Sequence, residues 1–206
     1  MEAFGLNGQI KKVAERIARE GYVTIAPDLY HRFGSPVVPY DDEPTAIAHM
    51  TRLDPGKVMA DIGAVIAHLR AHQSVWADRI GIVGFCMGGT VAFRTAAHHA
   101  ASISAAVSFY GGGSIAGDGA LLGRIAAPVL AFWGAHDVFI PRERVERIEA
   151  TMRQLGKTYE ATVYPGAVHG FFCEERAAFH PDAATDAWTK LLEWLSKYMN
   201  RRSSSK

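Results

Sequence analysis

The sequence has 206 residues, which suits one domain, and 49% of them are hydrophobic, a proportion typical of globular rather than disordered or fibrous proteins. With 22 Lys and Arg against 21 Asp and Glu, the formal net charge is +1, so nothing in the charge indicates a nucleic-acid or anionic-membrane partner. Two cysteines, Cys86 and Cys173, are too few for a disulfide framework, and no apolar run has the length of a membrane span or a signal peptide. We therefore expect a cytoplasmic protein.

Helix-like and strand-like patterns then alternate along the chain. Helical spacing of apolar residues, with N-cap and Gly signals at the ends, predicts helices over residues 10–20, from 54–55 onward, and over 90–99, 142–155 and 182–199. Short apolar runs predict strands over residues 22–30, 80–85, 103–111, 128–134 and 159–166, and residues 31–44 have the composition of a loop. This alternation predicts an α/β fold with a mostly parallel sheet and helices on both faces. We expect one domain over residues 1–199 and a flexible basic tail over 200–206.

A nucleophile motif follows the strand at 80–85. The sequence Gly84-Phe85-Cys86-Met87-Gly88 has the G-x-nucleophile-x-G pattern of a strand-to-helix elbow, which exposes the central side chain at a helix N-terminus. There a thiolate is favoured, and the Met87 N–H can stabilise an oxyanion. The alternative interpretation is a Gly-rich turn around a small buried cysteine.

Two more candidates follow later strands. Asp137 comes after the strand at 128–134, and His169 after the strand at 159–166. A carboxylate can fix the tautomer of a histidine that serves as base for a nucleophile. The order of nucleophile, acid and base, each at a strand end, predicts a triad of Cys86, Asp137 and His169, although Asp137 alone could instead cap the next helix. The remaining histidines we assign to the surface or loops.

The motifs GFCMGG, FWGAHDVFIP, VHGFF, EAFGLN and YVTIAPDLY together resemble the dienelactone hydrolase family. The resemblance extends over nearly the whole chain. It implies an α/β-hydrolase fold that opens enol-lactone rings without a cofactor or metal, with the same three residues as its triad. It also implies that Glu2 controls ionisation of the thiol and that the Ala3 N–H is the second oxyanion donor. Without the resemblance, Glu2 would be a disordered terminal residue.

The sequence departs from this family in two ways. Family members have strands before the segment that EAFGLN resembles, so we expect a sheet that lacks N-terminal strands and exposes a new edge. The two arginines that hold the substrate carboxylate in dienelactone-cleaving members have no equivalents, and one position is occupied by Cys173. Tyr40, Phe171 and Phe172 are candidates for an apolar substrate pocket, although at least one phenylalanine is expected in the core.

These features predict a hydrolase of carboxylic esters or lactones that works through an acyl-cysteine, acts on a small molecule, and is a monomer or weak homodimer. Two alternatives stay open. One is a thioesterase or acyl transferase with the same triad. The other is an inactive hydrolase-like protein that binds a partner.

Overall fold

Four parallel strands form the centre of the fold in the computed structural model, which describes residues 1–200. They are β1 (Gly81–Phe85), β2 (Ala105–Phe109), β3 (Val129–Gly134) and β4 (Tyr159–Tyr164). The strands lie in the sheet in chain order, and each pairs in parallel with the next. Every residue of β2 and β3 is buried, which explains why their sequences are continuous apolar runs. The α/β class and four of the five predicted strands are confirmed.

Seven helices flank the sheet in the described part of the chain: α1 (Gly8–Arg19), α2 (Glu43–Thr51), α3 (Pro55–Ala71), α4 (Met87–His98), α5 (Gly119–Gly123), α6 (Arg142–Gln154) and α7 (Pro181–Met199). Three short 3-10 turns lie at His31–Phe33, Ala100–Ser102 and Gly113–Ile115. Side chains cap two helices where the sequence favours it, since Asn7 Oδ1 accepts from the Ile10 N–H and Asp54 Oδ1 from the Lys57 N–H. None of the helices in residues 1–200 is both long and apolar enough to span a membrane.

The segment predicted as a strand at residues 22–30 is not one. Residues 22–28 have no regular structure, and Leu29 and Tyr30 form a turn. The residue types of this segment are typical of a strand. Within residues 1–200, however, no strand lies beside it, so the hydrogen bonds of a sheet do not form. The prediction that residues 31–44 form only a loop is also incomplete, because the segment contains a 3-10 turn and the start of α2 at Glu43.

Hydrogen bonds between loops hold the carboxyl ends of the strands together. The Cys86 N–H donates to Phe109 O, and the Tyr110 N–H donates to Phe132 O. The His136 N–H donates to Ala167 O at 2.9 Å, which joins the loops after β3 and β4. These bonds bring four strand ends to one edge of the sheet, where ligands bind in folds of this kind. The predicted tail at 201–206 lies outside the described residues.

Candidate active site

The turn between β1 and α4 holds Cys86 in a strained backbone conformation. Its φ is 56° and its ψ is −119°, an unusual region for a residue with a side chain. The turn is tight because a Cβ on Gly84 would lie 1.8 Å from Gly88 O. The half-buried Cys86 side chain therefore stands at the N-terminus of α4, as the elbow motif predicts.

Two residues with unpaired backbone N–H groups, Met87 and Ala3, line the same cavity as Cys86. Met87 is the first residue of α4, so its N–H has no acceptor within the helix. Ala3 lines the same cavity as Met87 and Cys86, and the buried Tyr30 hydroxyl anchors it by donating to Ala3 O at 2.8 Å. Within residues 1–200, neither the Met87 nor the Ala3 amide donates to another backbone carbonyl. Both amides are therefore free to donate to a ligand.

Asp137 and His169 form a buried hydrogen-bonded pair. His169 Nδ1 lies 2.8 Å from Asp137 Oδ2, and the aspartate side chain is completely buried. The other carboxylate oxygen, Oδ1, accepts from the backbone N–H groups of Phe139 and Ile140 at 2.8 and 2.9 Å. Asp137 does not cap α6, whose N-cap residue is Pro141 and has no side-chain bond. One carboxylate therefore shapes its own loop and also orients the imidazole.

The protonation of His169 is governed by its partners. Burial works to lower the pKa of the imidazole, but hydrogen bonds to Asp137 and to Cys86, together with the negative charge on both, raise this pKa to about 10. His169 thus bonds to the carboxylate through Nδ1 and lines the same cavity as the Cys86 side chain.

Glu2 is ordered and almost fully buried beside this group, at 1% exposure, so it is not a disordered terminal residue. Its Oε1 accepts from the Tyr110 hydroxyl at 3.1 Å, while Oε2 has no hydrogen-bond partner in the described structure. Burial raises the pKa of the Glu2 carboxyl, against the opposing effects of Arg176, Tyr110 and His169. Glu2 is therefore a buried carboxyl within electrostatic reach of the His169 imidazole.

A cavity of about 440 Å³ opens above these groups. Its walls include Cys86, Met87, Ala3 and His169, and its far side is largely apolar. The charged side chains that line it are one acid and three arginines: Glu43, Arg94, Arg144 and Arg176. In residues 1–200, no group of three or more His, Cys, Asp or Glu side chains is arranged to hold a metal ion.

The three predicted pocket aromatics do not line this cavity. Phe171 and Phe172 are buried, at 0% and 2% exposure, and Phe172 stacks on Phe85 with ring centroids 5.4 Å apart. Both phenylalanines extend the aromatic core beneath the site. Tyr40 packs edge-on against Phe4, a wall residue, and its hydroxyl accepts from Asn7, so Tyr40 supports the wall from behind.

Residues that the sequence did not identify also build the site: the three arginines and Tyr110 line the cavity, and Tyr30 supports it. Tyr110 directly follows β2, bonds to Glu2, and its ring meets that of His169 edge-on at 5.0 Å. The rule that ligands bind beyond strand ends identifies this position, because Tyr110 is the strand-end residue of β2. Tyr30, which anchors Ala3, is missed because it lies far away in the sequence and reaches the site through a single hydroxyl.

A tight strand-to-helix turn that carries Cys86 after β1, with Asp137 after β3 and His169 after β4, is the arrangement typical of an α/β-hydrolase. The sequence model of the dienelactone hydrolase family matches residues 1–199, and the chain belongs to that family. A protein of Salmonella typhimurium named as a carboxymethylenebutenolidase is 34% identical, over 98% of this chain and 76% of its own length. A Bradyrhizobium protein named as a 2-oxo-3-(5-oxofuran-2-ylidene)propanoate lactonase is also 34% identical, over 93% of this chain and 79% of its own.

Among solved structures, a protein of Klebsiella pneumoniae named as a dienelactone hydrolase superimposes with a TM-score of 0.86. It is 35% identical, and the match covers 96% of this chain and 84% of that one. The fold, the family and these relatives together make this chain a dienelactone hydrolase-like hydrolase.

Proposed function

We propose that this protein hydrolyses a carboxylic ester or lactone through an acyl-cysteine formed on Cys86. The observation that carries the proposal is that His169 bonds to buried Asp137 through Nδ1 and lines one cavity with Cys86 and with Met87, the first residue of α4. Such an arrangement suits a nucleophile, its base and the group that orients the base.

In the first half of the reaction, the Cys86 thiolate attacks the carbonyl carbon and a C–S bond forms. The negative charge that develops on the carbonyl oxygen is stabilised by the Met87 and Ala3 N–H groups and by the positive end of α4. The tetrahedral intermediate then collapses with cleavage of the C–O bond. The leaving oxygen takes its proton from the His169 imidazolium.

In the second half, neutral His169 removes a proton from water as that water attacks the thioester. Collapse breaks the C–S bond, restores the thiolate and releases a carboxylic acid, while His169 is again protonated. Asp137 keeps Nδ1 protonated through both halves, so that Nε2 is the nitrogen that exchanges protons with Cys86 and water. We assign Glu2 a positioning role, in which its charge state biases ionisation of the nearby thiol–imidazole pair.

The cavity indicates which esters and lactones are suitable. Arg94, Arg144 and Arg176 line it against the single acid Glu43, so its charge favours an anionic substrate. The Bradyrhizobium relative is named for a propanoate, and a propanoate carries such a charge. We therefore propose a lactone or ester with a carboxylate group, held by arginines other than the two that the family resemblance implies.

The test is hydrolysis of p-nitrophenyl acetate and of a panel of lactones, with and without a carboxylate, by wild type and Cys86→Ala. We expect Cys86→Ala to lose at least about 10³-fold in kcat/KM, because the nucleophile is removed. Cys173→Ala is the matched control, since Cys173 is buried and does not line the cavity. Equal rates for wild type and Cys86→Ala would contradict the proposal.

A further inference from the structure

The active-site cavity extends along α4 well beyond the thiol. One face of this helix lines it, and the residues of that face are Cys86 at the N-cap, then Met87, Thr90, Val91 and Arg94. Their spacing of three or four positions is that of neighbours on one side of a helix. From Met87 to Arg94 the helix makes about two turns and rises by about 10 Å. The cavity therefore has a catalytic end at Cys86 and a second end near Arg94.

The start of α3 closes the second end of the cavity. Val58 and Met59, which lie in the first turns of α3, are buried and line the cavity. His99, the C-cap residue of α4, fixes this part of α3 in place, because its Nε2 lies 3.0 Å from Met59 O. This wall is therefore at the C-terminal half of α4, away from the thiol. We call the part of the cavity that is lined by Val58, Met59, Val91 and Arg94 the distal arm.

The distal arm is suited to the acyl part of an ester. In the proposed reaction His169 protonates the leaving oxygen, so the leaving group must lie beside the imidazole. His169 is within electrostatic reach of Cys86, and the ring of Phe139, which also lines the cavity, meets the imidazole edge-on at 5.0 Å. The leaving group therefore occupies the catalytic end. The acyl chain extends from the other side of the carbonyl carbon, and the distal arm is the apolar space available to it.

Arg94 supplies the charge of the distal arm. Its side chain is half-buried, and within residues 1–200 it forms no hydrogen bond or ion pair. The other two arginines of the cavity differ, because Arg144 donates to Gly113 O at 3.3 Å. Burial raises the pKa of Glu2, and Arg176 opposes this rise. A half-buried guanidinium that lacks an acceptor is stabilised by an anionic ligand.

The acid that lines the cavity, Glu43, belongs to the catalytic end. It begins α2, and Ala46, one turn later, lies in one apolar cluster with Ala3 and Phe4. Arg176 lies over the Phe4 ring, with its guanidinium carbon 5.1 Å from the ring centroid. Glu43 and Arg176 therefore lie toward the same end of the cavity, so the acid does not neutralise the distal arm.

We propose that Arg94 is a specificity-determining residue that binds a carboxylate at the far end of the substrate's acyl chain. This inference rests on the proposed function and narrows it to esters and lactones whose carboxylate is separated from the scissile carbonyl by an apolar chain. Arginine side chains on a helix lean toward its N-terminus, so the chain spans somewhat less than the length of α4 between Met87 and Arg94. A neutral acyl chain would fill the arm but leave the guanidinium without an acceptor.

The test compares the p-nitrophenyl half-esters of suberic and glutaric acids with their methyl p-nitrophenyl diesters, after subtraction of spontaneous hydrolysis. For suberate, wild type should prefer the half-ester by at least about tenfold in kcat/KM, mainly through KM, because the charge pair forms in both the substrate complex and the transition state. The preference should be smaller for glutarate, whose carboxylate lies too close to the thiol to meet Arg94. Arg94→Ala should lose the suberate preference, and Arg94→Lys, which keeps the charge, should retain part of it.

Arg142→Ala is the matched control, because Arg142 pairs with Glu146 on the exposed face of α6 and does not line the cavity. It should leave the preference unchanged, and circular dichroism reports that each variant folds. Three results would overturn the inference: no preference for the suberate half-ester in wild type, the same preference in Arg94→Ala, or an equal preference with glutarate. Any of them together with Cys86-dependent hydrolysis of p-nitrophenyl acetate would leave the proposed function standing, whereas hydrolysis of every ester at the same rate by Cys86→Ala would overturn both.

Discussion

Asp137 shows how one side chain can serve both the local structure and the proposed chemistry. Oδ1 accepts two backbone N–H groups of its own loop, and Oδ2 bonds to His169. The carboxylate is therefore fixed before it orients the imidazole. This preorganisation is what a triad acid requires, because a mobile carboxylate would not select one tautomer.

Asp137→Asn separates these two tasks. The remaining Oδ1 can still accept from the loop, but the amide NH₂ presents donors to His169 Nδ1 and favours the wrong tautomer. We expect kcat for ester hydrolysis to fall by about 10³–10⁴-fold while the thermal midpoint changes little. Asp186→Asn is the control, since that carboxylate bonds to Tyr164 and Lys190 away from the cavity. Activity of Asp137→Asn near the wild-type level would show that Asp137 has no orienting role.

His169 also predicts how stability depends on pH. Its pKa is raised from 6.5 to about 10 in the folded protein, so its stabilising effect is complete below about pH 6.5 and is lost as the pH rises toward 10. Urea unfolding at pH 6 and pH 10 measures this. We expect the advantage of wild type over His169→Gln to shrink by more than about 1 kcal/mol between the two.

The matched control for that measurement is His68→Gln, which changes an exposed histidine of α3. Its difference from wild type should be the same at both pH values. A constant difference for His169→Gln as well would mean that the imidazole is not held in its charged form by its neighbours.

Individual residues could be predicted where chain order and strand ends locate them. Cys86, Asp137 and His169 each follow a strand, and the structure brings them together as expected. The prediction that Phe171 and Phe172 line the pocket is wrong, because two phenylalanines that follow the histidine in sequence do not reveal which way their rings point. They point into the core, where Phe172 stacks on Phe85 and both rings pack against Phe109 in tilted arrangements.

At the scale of elements, the elbow depends on how closely β1 and α4 approach. A Cβ at Gly84 would meet the carbonyl of Gly88, which is backbone and cannot move aside without shifting the helix. We expect Gly84→Ala to lower the free energy of unfolding by at least about 2 kcal/mol and to reduce activity, because the shift displaces Cys86 and Met87. Chemical denaturation and ester hydrolysis measure the two effects.

Gly119→Ala is the control for that substitution, since a Cβ there meets nothing within 4 Å and the backbone is not left-handed. It should be neutral or slightly stabilising. If Gly84→Ala were equally harmless, close packing of the elbow would not be what positions the nucleophile.

Strands with neighbours on the sheet were predicted well, and the segment that has none was not. The runs that became β1 to β4, and the helices α4 and α6 between them, follow the apolar periodicity closely, whereas the short α5 was not predicted. Residues 22–30 have the same kind of sequence. A strand, however, also needs a neighbouring strand to hydrogen-bond with, and the composition of a segment does not show whether that neighbour is present. α2 was missed because only Ala46 is buried, so the helix lacks a strong apolar stripe.

At the scale of the whole molecule, β1 supports the site from one side of the sheet. Its carboxyl end carries Cys86, and its edge away from β2 lines an apolar gap that faces residues 22–27. In the described residues the sheet ends at β1.

Glu2 and Ala3 keep their positions although the sheet ends at β1. Both stay ordered beside the thiol, because the Tyr110 hydroxyl donates to Glu2 and the Tyr30 hydroxyl donates to Ala3. These contacts join residues far apart in the chain. The sequence alone therefore could not show whether Ala3, the proposed second oxyanion donor, is held near Cys86. The sequence predicted the triad and not the tyrosines that hold the rest of the site.

The most direct measurement is mass spectrometry of the protein after brief reaction with p-nitrophenyl acetate and an acid quench. We expect an added acetyl group on the peptide that contains Cys86. If His169→Ala is acylated at all, the acetyl group should accumulate further in that variant, because water is no longer activated. Turnover of the ester by wild type with no acyl group ever found on Cys86, and undiminished turnover by Cys86→Ala, would contradict it.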